Sequence, residues 1–178
     1  MLRSRGRAGK DDLHLRKAPL GAAVKEAAEP HENRGPVVIY EIAPGPGGDA
    51  RQPSIQRRPE IIHGLRNLIQ NAVDFARESV WIDIAWTPDT IVVRIVDDGP
   101  GFPPQVLSRI GDPFVRQRPM RTHRERPEYE GMGLGLFIAK TLLERSGAEL
   151  TFANALEQFS EPVPAGERSG AIVEVVWP

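Results

Sequence analysis

Residues 59–101 read PEIIHGLRNLIQNAVDFARESVWIDIAWTPDTIVVRIVDDGPG. From Pro59 the apolar residues Ile61, Leu65, Leu68, Ile69, Ala72 and Ala76 recur at helical spacing, while His63, Asn67, Asn71 and Asp74 recur on a second, polar line. A helix carrying both stripes faces a core with one side and a polar cleft with the other. The next runs, residues 80–86 and 90–96, are rich in β-branched residues and are joined by Pro88-Asp89, which predicts an antiparallel hairpin. The second run ends in Asp97-Asp98-Gly99-Pro100-Gly101.

Outward from this stretch the same alternation continues. Toward the N-terminus, Pro19 suits a helix start, and Leu20, Val24 and Ala27/Ala28 follow at helical spacing. Residues 37–42 are β-rich, and APGPGGDARQPS after them is a Gly/Pro loop. Toward the C-terminus, Pro103 and Pro104 open a short helical piece through about Ile110. Residues 116–130 hold five Arg and three Glu with no apolar period, which predicts a long mobile loop. Helical spacing returns over residues 133–145, with Gly147 as its stop, and strands are expected at about 150–153 and 171–177. Strands gathered in hairpins, with helices between them, imply an α+β two-layer sandwich: a mixed sheet covered on one face by helices. Strand pairs this close in sequence leave no room for the crossovers of a doubly wound parallel sheet.

Composition bounds the function. The 178 residues carry 23 Lys+Arg and 24 Asp+Glu, a balance that argues against a dedicated nucleic-acid binder. Without cysteine there is no disulfide framework, thiolate zinc site or cysteine nucleophile. No apolar run is long enough to span a bilayer, and the basic opening MLRSRGRAGK leads into DDLHLRK, unlike a signal peptide. A soluble, cytoplasmic chain is the expectation, with residues 1–14 a disordered tail or cloning remnant and residues 15–178 one domain.

Four segments carry chemistry. Asn67 and Asn71 lie four apart on one helix face, and a carboxamide oxygen is a hard ligand suited to Mg²⁺ beside phosphate. Asp97 at a strand end can accept an amine hydrogen bond, with Gly99 and Gly101 allowing a flat ligand to come close. Gly111-Asp-Pro-Phe114 holds an aromatic at a turn before the polar loop. Gly131-Met-Gly133-Leu134-Gly135-Leu136 opens a helix, where free N–H groups and the macrodipole suit an anion. This last segment has Leu136 where a dinucleotide fingerprint has its third glycine, and it lacks the Gly-Lys-Ser/Thr of a P-loop.

In order and spacing the segments resemble the N, G1, F and G2 boxes of the GHKL ATP-binding fold, in the arrangement of a histidine kinase catalytic domain. The resemblance covers residues 59–178 in detail. The run GMGLGLFIAKTLLERSGAEL, with residues 18–31, looks like the redox-responsive sensor kinases that control photosynthesis genes (RegB/PrrB type). It implies ATP and Mg²⁺ as cofactors, with Asn71 on the metal and Asp97 on the adenine amino group. Gly131, Gly133 and Gly135, with Leu134 and Leu136, would cradle phosphate under a lid at about 116–130, and Phe114 is the F-box aromatic. It also implies a phosphoacceptor helical hairpin and a response regulator as partners, a fragment that is monomeric, and room for an inner-membrane anchor in the parent kinase.

Two positions depart from the pattern. Where ATPases of this fold place a water-activating Glu, this chain has Asn67, so slow hydrolysis and transfer to a better nucleophile are expected. Where many kinases have a phosphate-contacting Lys, it has Asp74. His14-Leu-Arg-Lys-Ala-Pro19 mimics a phosphoacceptor motif, but too few residues separate it from Asn67 for two long hairpin helices and a strand. The acceptor histidine is therefore expected outside this sequence. The alternatives are a non-enzymatic ATP-binding regulatory module and a serine kinase of the anti-sigma type.

Overall fold

The computed structural model describes residues 16–110, 127–156 and 166–178, with side chains in the middle span from residue 133 onward. Strand β1 (Lys17–Pro19) leads directly into helix α1 (Leu20–Ala28), with Pro19 as its N-cap rather than its first helical residue. A single 3₁₀ turn (Glu29–His31) separates α1 from β2 (Val37–Ile42). Strand β3 (Ser54–Gln56) pairs antiparallel with β1, a small two-stranded sheet that the Gly/Pro composition of this region concealed. Helix α2 (Pro59–Phe75) has Pro at its first position, where the missing N–H costs nothing. The hairpin is β4 (Ser79–Trp86) and β5 (Ile91–Asp97), with Thr87 and Thr90 bonded across the turn through both backbone and hydroxyls. Then come α3 (Pro104–Ile110), α4 (Pro127–Arg145), β6 (Glu149–Asn154) and β7 (Ala171–Trp177).

The main sheet has five strands in the order β2-β4-β5-β7-β6. Only β2–β4 is parallel, because α2 carries the chain back across one face between them; the other pairs are antiparallel. On that face Val80, Ile82, Ile84, Val93, Ile95, Val173 and Val175 are buried. They meet Leu20 and Val24 of α1, Leu65, Leu68 and Ile69 of α2, and Leu136, Ala139 and Leu143 of α4 in one core. Each fully buried Leu or Ile contributes roughly 1.5–3 kcal/mol by leaving water. The α2–α4 contact is close at Gly64, where any Cβ would overlap the Leu143 side chain. The two-layer α+β sandwich expected from the pattern is the fold observed.

Helix α4 corrects the expected boundary. It starts at Pro127, not near Gly133, so residues 127–130 are helical and do not belong to a loop. Pro at the first position, followed by Glu128 and Glu130, suits a helix start although no apolar period announces it. Its other end is as expected. Gly147 (φ +96°) donates to the Glu144 carbonyl and Ala148 donates to that of Leu143, the paired bonds of a Schellman cap.

Candidate functional site

Strand β5 ends by burying a carboxylate. Asp97 is 2% exposed; its Oδ1 accepts hydrogen bonds from the amides of Gly99 (2.9 Å) and Ala171 (3.1 Å). Its carbonyl accepts one from the amide of Gly170 (2.8 Å). Burial pushes its pKa up to about 6, with adjacent Asp98 adding to the rise and the two amide bonds opposing it. Among the described residues nothing donates to Oδ2. A buried carboxylate oxygen without a donor is a costly arrangement in a folded protein. A ligand N–H such as the exocyclic amine of a purine would complete it.

Asp98 does different work. It is 1% exposed and accepts backbone N–H bonds from Arg77, Glu78 and Gly166. Its burial raises the pKa, but those amides outweigh it and hold the carboxyl below its ordinary value. Asp98 thereby ties the end of β5 to the loop after α2 and to the loop before β7. The neighbouring glycines have structural reasons that the purine-approach expectation did not include. A Cβ on Gly99 would overlap the Phe75 carbonyl at the end of α2. Gly101 takes φ +85° beside Asn154, whose carboxamide bonds both the amide and the carbonyl of Phe102 (2.7 and 2.9 Å). Gly170 was missed from the sequence: a Cβ there would overlap Asp97 Oδ1 and crowd Gly99. No local pattern marks it, because its constraint comes from a partner over seventy residues away.

The polar stripe of α2 reaches the same place. Asn71 lies one turn before Phe75, about 6 Å along the helix axis, and Phe75 is packed on Gly99. Asn67 and Asn71 are half-buried, His63 and Asp74 exposed. Neither carboxamide hydrogen-bonds to another described residue, so both oxygens are available to a ligand. No group of three or more His, Asp or Glu able to hold a metal occurs among the described residues. A cation here would keep waters and phosphate oxygens as most of its shell, which fits Mg²⁺ and a carboxamide.

Gly131, Gly133 and Gly135 lie within α4 rather than at its first turn, since the helix begins at Pro127. Their amides are thus drawn into the helical ladder instead of standing free for an anion. A Cβ on Gly133 or Gly135 would meet no atom of the described residues within 4 Å, so packing among those residues does not require glycine at either. Leu134 is 50% exposed, and Ile138, one turn on, is 41% exposed. The Leu136 side chain, at 1% exposure, belongs to the core. Phe114, residues 116–126 of the expected lid, and residues 1–14 lie outside the described residues.

A mixed sheet with helices on one face, a buried acid at a strand end and a carboxamide stripe on the adjacent helix define a nucleotide-binding domain of the GHKL class. Residues 56–178 match the family described as Histidine kinase-, DNA gyrase B-, and HSP90-like ATPase, and the chain belongs to that family. Over its whole length it is 66% identical to the sensor histidine kinase RegB of Cereibacter sphaeroides, of which it covers 39%. It is 39% identical over 101 residues to the signal transduction histidine-protein kinase AfsQ2 of Streptomyces coelicolor, covering 57% of this chain and 18% of that protein. The chain therefore spans about two fifths of the length of the RegB kinases it matches. Its fold is shared, at 20% identity, by the mycobacterial sensor histidine kinase MprB (TM-score 0.58, covering 91% of this chain and 95% of that one). The histidine kinase domain of the E. coli osmosensor EnvZ shares it too (TM-score 0.59, 92% and 88%, 20% identity).

Proposed function

We propose that the chain is the ATP-binding catalytic domain of a two-component sensor histidine kinase, transferring the γ-phosphate to a histidine on a helical hairpin outside this sequence. The buried Asp97 carboxylate, with one oxygen unsatisfied among the described residues and fastened to the end of the helix that bears Asn71, carries this reading. Asp97 accepts the adenine amino group. Asn71 and Asn67 present oxygens to a magnesium ion, which when bound neutralises phosphate charge. Asn67 has no basic atom to activate water, so the site favours transfer to an imidazole over hydrolysis. The chain's own contribution is positioning and charge compensation, as in phosphoryl transfer generally. The exposed pair Leu134 and Ile138 on α4 supports docking of the apolar hairpin, with a response regulator taking the phosphate afterwards. No helix among the described residues is long and apolar enough to cross a membrane.

The test supplies the histidine-bearing hairpin of a RegB kinase together with labelled ATP. Acid-labile phosphate on the hairpin is expected. Acid-stable phosphate would favour a serine kinase on the same fold, and its absence despite tight ATP binding would favour a regulatory nucleotide module. Asp97→Asn should weaken nucleotide binding by about 1.5–3 kcal/mol, the range for hydrogen bonds to charged groups; unchanged affinity by calorimetry would remove the adenine assignment.

A further inference from the structure

The polar line of α2 ends in a carboxylate, which is electrostatically the wrong group in two respects. Asp74 follows Asn71 by three residues, so the two side chains are neighbours on one helix face, and its charge opposes a polyphosphate held there. It also lies in the last turn of α2, where the macrodipole disfavours an anion and no basic residue stands beside it. The compensation comes from another element. Arg34, in the turn before β2, places Nη2 2.6 Å from Asp74 Oδ1, and its Nη1 donates to His31 Nδ1 at 3.0 Å. Burial, with the Arg34 charge second, holds the His31 pKa below the ordinary imidazole value, in keeping with its role as acceptor. The turn is fastened to the loop that follows α2: the Val37 amide bonds the Glu78 carbonyl (2.8 Å), and the Glu78 amide bonds Asp98.

We propose that Arg34, oriented by Asp74 and His31, is a phosphate-binding residue of the nucleotide site, supplying from outside α2 the positive charge that the last turn of the helix lacks. The assignment rests on the nucleotide reading given under Proposed function. Arg34 is 44% exposed, and the two contacts leave guanidinium donors free to meet an anion. An exposed ion pair kept only for stability would place its cation, not its anion, at the end of α2. The arrangement found instead makes Asp74 the holder and Arg34 the working charge. A planar fork held from two sides is suited to phosphate oxygens.

The experiment compares the affinity of the full chain for adenosine and for a non-hydrolysable ATP analogue with Mg²⁺, in wild type, Arg34→Ala, Arg34→Lys and the double variant Arg34→Ala/Asp74→Lys. Arg34→Ala should weaken the ATP analogue about tenfold or more, the size of a charge-assisted hydrogen bond, and leave adenosine within about twofold. Arg34→Lys should lose less, and the double variant should regain affinity because the cation now stands on α2 itself. An unchanged ratio of analogue to adenosine affinity in Arg34→Ala overturns the proposal, as does equal weakening of both ligands, which would mark a structural role. If Arg34→Ala does not fold, Arg34→Lys and the double variant read the same ratio. Wild type binding neither ligand would instead bring down the nucleotide reading on which the proposal stands.

Discussion

Asp97 and Asp98 are sequence neighbours that titrate in opposite directions, and the difference lies in how many donors each meets. Asp98 is satisfied by backbone amides and stays ionised; the stability it confers is present at neutral pH and is lost as pH falls below the ordinary carboxylate range. Asp97 has an oxygen without a donor among the described residues, and its folded pKa of about 6 stands above the ordinary 3.8. Between those values the folded chain holds a proton that the unfolded chain has released, so stability falls as pH rises through that window. The cost at neutral pH is on the order of 3 kcal/mol, which the proposed contact with a purine amine would offset. Nucleotide affinity should accordingly drop as pH is lowered from about 7.5 to about 5, while Asp97→Asn shows only the change due to phosphate protonation. The measurement is the ratio of the two affinities for ADP across that range, and a ratio independent of pH would contradict it. Residue type and spacing single out Asp97 and Asn71 as candidates in the sequence, and the structure buries the first and half-buries the second. Gly170 and the bracing role of Asp98 were not legible there, because their constraints come from segments joined only by folding.

At the scale of the element, α4 shows where local reading succeeds and where it fails. Leu136, Ala139 and Leu143 give a clear apolar stripe, and Gly147 gives a clear stop; both are found. The first six residues carry no apolar signal, so the helix was expected only from Gly133, and the glycines seemed to open it. Strands β1 and β3 escaped notice for a related reason: three residues are too few to show a period. Within α4, Gly133 and Gly135 weaken the helix by about 1 kcal/mol each relative to Ala, yet no packed neighbour explains them. The phosphate contact proposed for this segment supplies the reason for glycine that packing among the described residues does not. Gly133→Ala/Gly135→Ala should therefore raise the melting temperature, since about 2 kcal/mol of helix propensity is restored without a clash, and should weaken ATP binding while sparing adenosine. A stabilised variant with full ATP affinity would show that the glycines have no part in binding phosphate.

Across the whole molecule, the loop before β7 joins the helix-free face of the sheet to the Asp97 site at the strand ends. On that face Arg168 pairs with Asp83 and Glu41 and lies over the Trp81 ring, 5.4 Å from its centroid, so that Trp81 is only 8% exposed. The same loop supplies Gly166 to Asp98 and Gly170 to Asp97, and Ala171, the first residue of β7, also bonds Asp97. A clamp on one side of the sheet thus holds the backbone that shapes the pocket at the strand ends. The whole-chain pattern of alternating elements foretold the layers, but not this link, since Arg168 in its loop reads as an ordinary solvated cation. Removing the guanidinium uncovers Trp81 and releases the loop. Arg168→Ala should destabilise the chain by about 1–2 kcal/mol, from a lost cation–π contact and a partly exposed ion-pair network. It should also weaken adenosine and ATP by the same factor, because the disturbance reaches Asp97 and leaves the phosphate contacts alone. That uniform loss distinguishes it from the phosphate-selective loss expected at Arg34. Titrating both ligands against Arg168→Ala decides the matter: adenosine affinity equal to wild type would mean that the outer clamp and the pocket are independent.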